Sequence, residues 1–206
     1  MTTAPTPAPA VRRGRPGYDR QTLVDLCVKV FNRHGYDATS MGMLATELGI
    51  SKSAIYHHVK TKEDILQSAL TEALGGLEEI MDAAESTAGP ATNKIEALII
   101  GAVRVLVEKQ PSVTLLLRLR GNSEVETDAL KRRRNLTNRL ASLIATAQAE
   151  ESVRDTVDPQ TMARLIFGTI NSLADWYQLE KSVNAKETGR VLAGLVFHGV
   201  LEDPPE

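Results

Sequence analysis

Apolar residues recur every three or four positions along most of the chain, which is the spacing of amphipathic helices. In the first such stretch they are Leu23, Leu26, Cys27, Val30 and Phe31. No stretch alternates between apolar and polar residues for long enough to predict a strand. The pattern therefore predicts an all-α protein of about nine helices with short connections and no internal repeat.

Residues that favour helix starts precede these stretches. They are Asp19, Thr39, Ser51, Thr61, Ser123, Asp158 and Asn184. Gly35 and Gly49 predict the ends of the first two helices. The glycine pair at 75–76 predicts a kink or an end in the fourth.

Charge is distributed unevenly along the chain. Residues 1–62 contain nine Lys/Arg and four Asp/Glu, a net charge of +5, whereas the remainder contains 15 and 22, a net charge of −7. This charge pattern, with a basic head at residues 1–62 and an acidic body after it, predicts that the head binds a polyanion. The chain shows no membrane-spanning run and no secretory signal, and Cys27 has no partner for a disulfide, so we expect a cytoplasmic protein.

The basic part contains the spacing of a helix-turn-helix within residues 39–62. Ala45, Gly49 and Ile55 stand at relative positions 0, +4 and +10. A small residue lets the second helix cross, glycine makes the sharp turn, and the isoleucine faces the core. The following helix then presents its polar and aromatic residues to a DNA groove. The alternative is a three-helix core that binds no nucleic acid.

The residues of this segment also resemble the TetR family of bacterial transcriptional repressors over about positions 18–66. The resemblance is carried by Gly35-Tyr36, Thr39, Ala45, Gly49-Ile50-Ser51, Ile55-Tyr56-His57-His58-Val59 and Lys62-Glu63-Asp64-Ile65. It implies phosphate contacts by Thr39, Tyr56, His58 and Lys62. Lys52, Ser53, Ala54 and His57 are the candidates for base readout. Gly42 departs from the family, in which many members have a polar or charged residue.

A second nucleic-acid signal precedes the motif. Arg13 and Arg15 lie in the segment Arg-Arg-Gly-Arg-Pro, which has the shape of an AT-hook for the minor groove. The alternative is a solvated basic tail that binds phosphate without sequence preference. We therefore divide the chain into a disordered basic arm (1–17), a helix-turn-helix DNA-binding domain (18–65) and a ligand-binding and dimerisation domain (66–206).

The resemblance implies that the last two long helices, about 159–179 and 185–201, pair with their copies in a homodimer. Such a dimer suits a palindromic operator in double-stranded DNA. Arg133 lies on the apolar stripe of its helix, and Arg118 and Arg120 follow an apolar run.

These arginines predict an acidic effector such as an acyl-CoA. The segment VTLLLRLRGN resembles the actinobacterial subgroup that senses CoA thioesters. The alternatives are ion pairs with Glu124, Glu126 or Asp128, or a solvated basic face. Trp176 is a candidate ligand contact, although such residues are more often core or interface anchors.

The sequence thus predicts a ligand-responsive repressor that a small-molecule inducer releases from DNA. The alternatives are a DNA-architectural protein without an inducer and a helical interaction scaffold. There is no glycine-rich phosphate loop, nucleophile elbow or carboxylate cluster with metal spacing, so we expect no enzyme, cofactor or metal. His57 and His58 are adjacent on a helix and point apart, which disfavours a metal pair.

Overall fold

The computed structural model describes residues 18–177 and 184–199. In these ranges the chain forms nine α-helices and no strand, which confirms the all-α prediction. None of these helices is long and apolar enough to cross a lipid bilayer. The helices are α1 (Arg20–His34), α2 (Met41–Leu48), α3 (Lys52–Tyr56), α4 (Lys62–Ser86), α5 (Ala91–Glu108), α6 (Gln110–Leu117), α7 (Glu124–Ala149), α8 (Pro159–Trp176) and α9 (Ala185–His198).

Side-chain caps decide where most helices begin. Six predicted caps accept a hydrogen bond from a backbone N–H in the first turn: Asp19, Ser51, Thr61, Ser123, Asp158 and Asn184. The predicted cap Thr39 is wrong, because Ser40 caps α2 and accepts from the Met43 N–H at 3.2 Å. Thr39 is instead only 2% exposed and donates its hydroxyl to the Gly35 carbonyl at 2.6 Å.

The first three helices and the start of α4 share one apolar core. Phe31 of α1, Leu44 of α2 and Ile55 of α3 are fully or almost fully buried, as are Ile65 and Leu66 of α4. Burial of large apolar side chains stabilises a small domain by about 1.5–3 kcal/mol each. The N-terminal head is therefore built from α1, α2, α3 and the first turns of α4.

Helix α4 joins this head to the rest of the chain without a break. It continues without interruption through Gly75 and Gly76, so the helix end that the sequence allows there is not formed. The helix continues because its apolar stripe resumes at Leu77 and stays buried at Met81 and Ala84. The predicted domain boundary at residue 65 thus falls inside a helix that head and body share.

The body packs around α5, which contacts α4, α6, α7, α8 and α9. Glycine permits the close approach of α9 to α5, since a Cβ at Gly189 of α9 would lie 2.9 Å from the Cα of Ile100. Two arginines of α7 clamp the second half of α4. Arg132 binds Glu78 through two hydrogen bonds of 2.9 and 2.7 Å, and Arg139 binds both Asp82 and Glu85.

Candidate nucleic-acid interface

The turn between α2 and α3 has the geometry that the sequence predicts. Gly49 adopts the left-handed conformation, with φ of 64° and ψ of 33°, which L-residues with a Cβ adopt at a cost. The Gly49 N–H donates to the Thr46 carbonyl and the Ile50 N–H to the Ala45 carbonyl. Ala45 is buried beneath the crossing and Ile55 is fully buried. Each of the three spacing residues therefore takes its predicted role.

Helix α3 presents the predicted base-reading residues to the outside. Lys52, Ser53, Ala54 and His57 are all exposed, and Tyr56 is half exposed. The hydroxyl of Ser51 accepts from the Ala54 N–H at 3.2 Å and lies 2.8 Å from the Ser53 hydroxyl. A capped first turn above a buried isoleucine makes this short helix a rigid projection.

The two adjacent histidines have different surroundings. His57 is exposed at the end of α3, whereas His58 is partly buried. Their ring centroids are 5.1 Å apart and the rings are nearly perpendicular, at 80°. The prediction that the two side chains point apart is therefore wrong, because the rings contact each other edge to face.

Lys62 is held within the head. Its ammonium group donates to the carbonyl of Tyr36 at 2.8 Å and lies 4.3 Å from the centroid of the Tyr36 ring. A weaker bond of 3.4 Å reaches the carbonyl of Asp37. These contacts join the first turn of α4 to the loop after α1. Lys62 therefore stabilises that loop independently of any phosphate contact.

Burial raises the pKa of Tyr36 to about 12, and the nearby carboxylates of Glu63, Glu126 and Asp37 act in the same direction. The Tyr36 hydroxyl is therefore neutral at physiological pH.

Burial of Thr39 disfavours the phosphate contact that the resemblance implies for its side chain. Arg13 and Arg15 lie outside the described residues.

Gly42, where the sequence departs from the family, has a structural consequence. A Cβ at this position would lie 3.1 Å from the Cε atom of Lys52. The missing side chain on α2 thus leaves room for the end of Lys52 to lie across that helix. Sequence reasoning identified the departure but not the lysine that makes use of it.

The four predicted ligand residues do not form one site. Arg118 and Arg120 line a cavity of about 500 Å³ between the loop after α1 and the loop before α7. Arg133 lines a separate cavity of about 60 Å³ among α4, α6, α7 and α8. Trp176 is 61% exposed near the end of α8 and lines neither cavity.

The sequence left open that Arg118, Arg120 and Arg133 form ion pairs with nearby carboxylates. Within the part of the chain that the structure describes, this alternative is wrong. None of the three arginines forms an ion pair there with Glu124, Glu126 or Asp128. Glu126 is buried and its carboxylate instead accepts from the backbone N–H groups of residues 120, 121 and 122. The Glu126 carboxylate therefore stabilises the loop before α7 and does not neutralise one of these arginines.

An apolar face remains uncovered on the last two helices. On α8, Leu165 and Trp176 are eleven positions apart and therefore lie on one side of the helix. On α9, Val191, which is 69% exposed, lies one turn before Leu195, which is also exposed. Large exposed apolar side chains of this kind mark an interaction surface on each of the two helices.

The fold and the rigid outward-facing α3 define a helix-turn-helix, DNA-binding transcription regulator. Two family models agree with this class. "Bacterial regulatory proteins, tetR family" matches residues 23–69, and "Tetracyclin repressor-like, C-terminal domain" matches residues 88–200. The chain belongs to the TetR family, whose members are transcription regulators and not enzymes.

Related proteins agree over nearly the whole chain. A TetR-family regulator from Streptomyces coelicolor A3 is 41% identical, with a TM-score of 0.82, over 98% of this chain and 96% of its own. The fatty acid metabolism regulator protein of Bacillus subtilis is 22% identical over 92% of this chain and 98% of its own length.

The transcriptional repressor KstR2 of Mycolicibacterium smegmatis is 23% identical over 91% of this chain and 93% of its own length. The structure of AibR with isovaleryl coenzyme A and operator DNA is 17% identical over 86% of this chain and 97% of that one. With a TM-score of 0.71, it shows a shared fold.

Proposed function

We propose that this chain is a cytoplasmic repressor that binds a palindromic operator as a homodimer and leaves it when a small-molecule effector binds. The observation that carries the DNA-binding part is the exposed, capped α3 above the buried Ile55. A helix of this kind enters the major groove, and a two-fold dimer places two of them about 34–36 Å apart.

Each exposed residue of the head then has a role that follows from its chemistry. Lys52, Ser53 and His57 can donate or accept hydrogen bonds at base edges, and Ala54 can contact a thymine methyl group. Tyr56 and His58 contact phosphates, and Lys62 contributes positive charge at the start of α4. The arginines at positions 13 and 15 extend the contact into the minor groove.

Dimerisation is proposed through the uncovered face of α8 and α9. The side chains of Leu165, Trp176, Val191 and Leu195 expose apolar area that a second copy would bury. Gly168 adds open space on α8, because a Cβ there would meet no atom within 4 Å. Small residues beside large apolar ones permit two helix pairs to approach closely. In this arrangement Trp176 is an interface anchor, which was the alternative to its role as a ligand contact.

The effector is proposed to come from acyl metabolism. The printed names of two relatives concern fatty acid regulation and isovaleryl coenzyme A. The larger cavity, which Arg118 and Arg120 line at the junction of head and body, suits an acidic compound of this kind, an acyl-CoA or a related acid.

The DNA-binding proposal is tested by titrating a fluorescent fragment of the DNA beside its own gene. Tyr56→Ala and Lys52→Ala should each weaken binding about tenfold or more, and Lys52→Ala should also reduce the salt dependence if it contacts a phosphate. Lys131→Ala is the matched control, because Lys131 is exposed on α7. Equal affinity for the fragment and for random DNA would favour the architectural alternative, and unchanged binding by both head variants would reject this surface.

A further inference from the structure

Three consecutive arginines on α7 have three different surroundings. Arg132 is bound by Glu78, and Arg134 is exposed to solvent. Arg133 points into the cavity among α4, α6, α7 and α8. Within the described residues it forms no ion pair, and its one hydrogen bond is a long one of 3.4 Å to the carbonyl of Leu116.

The surroundings of Arg133 are mostly apolar. Each of the four helices contributes at least one large apolar side chain to the cavity wall, among them Leu77, Val113, Leu136 and Phe167. A guanidinium held in such a place loses hydration and gains little in return. Its pKa is lowered by burial, with no carboxylate acting against that effect. The partial negative charge at the end of α6 compensates for only part of a full charge.

Two further polar groups share the cavity wall. The hydroxyl of Thr137 donates to the Arg133 carbonyl, which leaves its oxygen as an acceptor. Asn171 of α8 lines the cavity, and its side chain makes no hydrogen bond to any other described residue. The cavity wall thus combines the Arg133 guanidinium, which has no carboxylate partner among the described residues, with the Asn171 amide, which is available as a hydrogen-bond donor.

We propose that this cavity receives the carboxylate of an apolar organic acid, with Arg133 as its ion partner and Asn171 as a second donor. A planar carboxylate matches the fork of a guanidinium. The cavity of about 60 Å³ has room for about four waters, which suits a carboxylate with a few carbons and excludes the phosphates of coenzyme A. The assignment rests on the proposed function only for its regulatory consequence.

That consequence follows from what else contacts α6. A bound carboxylate competes with the Leu116 carbonyl for Arg133. Two residues after Leu116, the guanidinium of Arg118 donates to the Asn32 carbonyl at the end of α1. Occupation of the cavity therefore acts on the helix that holds the DNA-binding head.

The test is calorimetric titration of the full chain with propionate, butyrate and pentanoate. Each acid is compared with its methyl ester, in which the carboxylate is masked. We expect at least one acid to bind, and its ester to bind about ten- to a hundredfold more weakly. Arg133→Gln should lose this preference, Arg133→Lys should retain part of it, and Arg134→Gln should behave like the wild type.

Three results would overturn the assignment: no acid of the panel binds, the ester binds as well as its acid, or Arg133→Gln binds the acid as Arg134→Gln does. If the glutamine variant fails to fold, the ligand series on the wild type and the lysine variant still decide. Operator binding is measured separately without ligand. Its absence in the wild type would refute the proposed function and leave the acid site standing.

Discussion

The guanidinium of Arg118 donates a 2.6 Å hydrogen bond to the backbone carbonyl of Asn32, across 86 positions of sequence. The side-chain amide of Asn32 in turn donates to the carbonyl of Pro111 at 2.8 Å. Since Pro111 and Arg118 lie at the two ends of α6, this helix is fastened at both ends to the last turn of α1. A movement of α6 in the body therefore reaches the head directly.

Removing this link should loosen the head selectively. Arg118→Ala should accelerate amide hydrogen exchange in the last turn of α1 and lower the free energy of unfolding by about 1 kcal/mol or less, because the bond is exposed. Hydrogen exchange followed by mass spectrometry measures the first effect. Arg120→Ala is the control, since Arg120 lines the same cavity and its side chain makes no described hydrogen bond. Equal exchange in both variants would contradict the proposed link.

The ion pair between Glu78 of α4 and Arg132 of α7 should contribute measurably to the free energy of unfolding. Glu78→Gln removes the charge from a partly buried, two-bond pair with Arg132, and we expect a loss of about 1–2 kcal/mol in urea denaturation. The loss should shrink at high salt, because the pair is only partly shielded from ions. Glu79→Gln is the control, as Glu79 is exposed beside it and forms no described ion pair. A similar loss in the control would assign the effect to net charge.

Two helical glycines of the body should respond to alanine in opposite directions. A Cβ at Gly75 would meet nothing within 4 Å, so Gly75→Ala should raise the free energy of unfolding by about 0.5–1 kcal/mol. A Cβ at Gly101 would lie 2.6 Å from the Cγ2 atom of Ile80, so Gly101→Ala should lower it by about 1–3 kcal/mol. Paired denaturation curves decide: a gain in both variants would contradict the packing at Gly101, and a loss in both would contradict the open space at Gly75.

The buried thiol of Cys27 should stay protonated at neutral pH and react slowly with alkylating reagents in the folded chain. Burial raises its pKa to about 11, so the folded state keeps the proton that the unfolded chain releases near its ordinary value of 9.0. Linkage then predicts that this group costs stability as the pH rises from about 9 towards 11 and has no effect at pH 7. Alkylation by iodoacetamide at pH 8 should be slow in buffer and fast in urea, and fast labelling in buffer would contradict its burial.

Arg118, Arg120 and Arg133 show where sequence reasoning reaches its limit. Arg133 lies on an apolar stripe, so its inward direction could be predicted from helical spacing alone. Arg118 and Arg120 were expected to serve the same ligand, yet they line a cavity at the junction of head and body. Which helices surround a side chain depends on long-range packing, and spacing along one helix carries no information about it.

A similar limit applies to Thr39 and Lys62. Both match the residues for which the resemblance implies phosphate contacts, but one is buried and the other binds the Tyr36 carbonyl. The sequence indicates the type of each side chain. The contacts of the loop between α1 and α2 decide where each side chain lies, since Thr39 donates to the Gly35 carbonyl and Lys62 to the Tyr36 carbonyl.

By itself the sequence determined the helices, most of their caps and the outward-facing helix α3, because these depend on residues within one or two turns of each other. Tertiary structure alone decided that α4 continues through two glycines, that Glu126 binds the backbone of a loop, and that no carboxylate of the described residues lies near Arg133 while Glu78 binds Arg132. Those features depend on contacts between residues far apart in the chain, and such contacts exist only once the helices have packed.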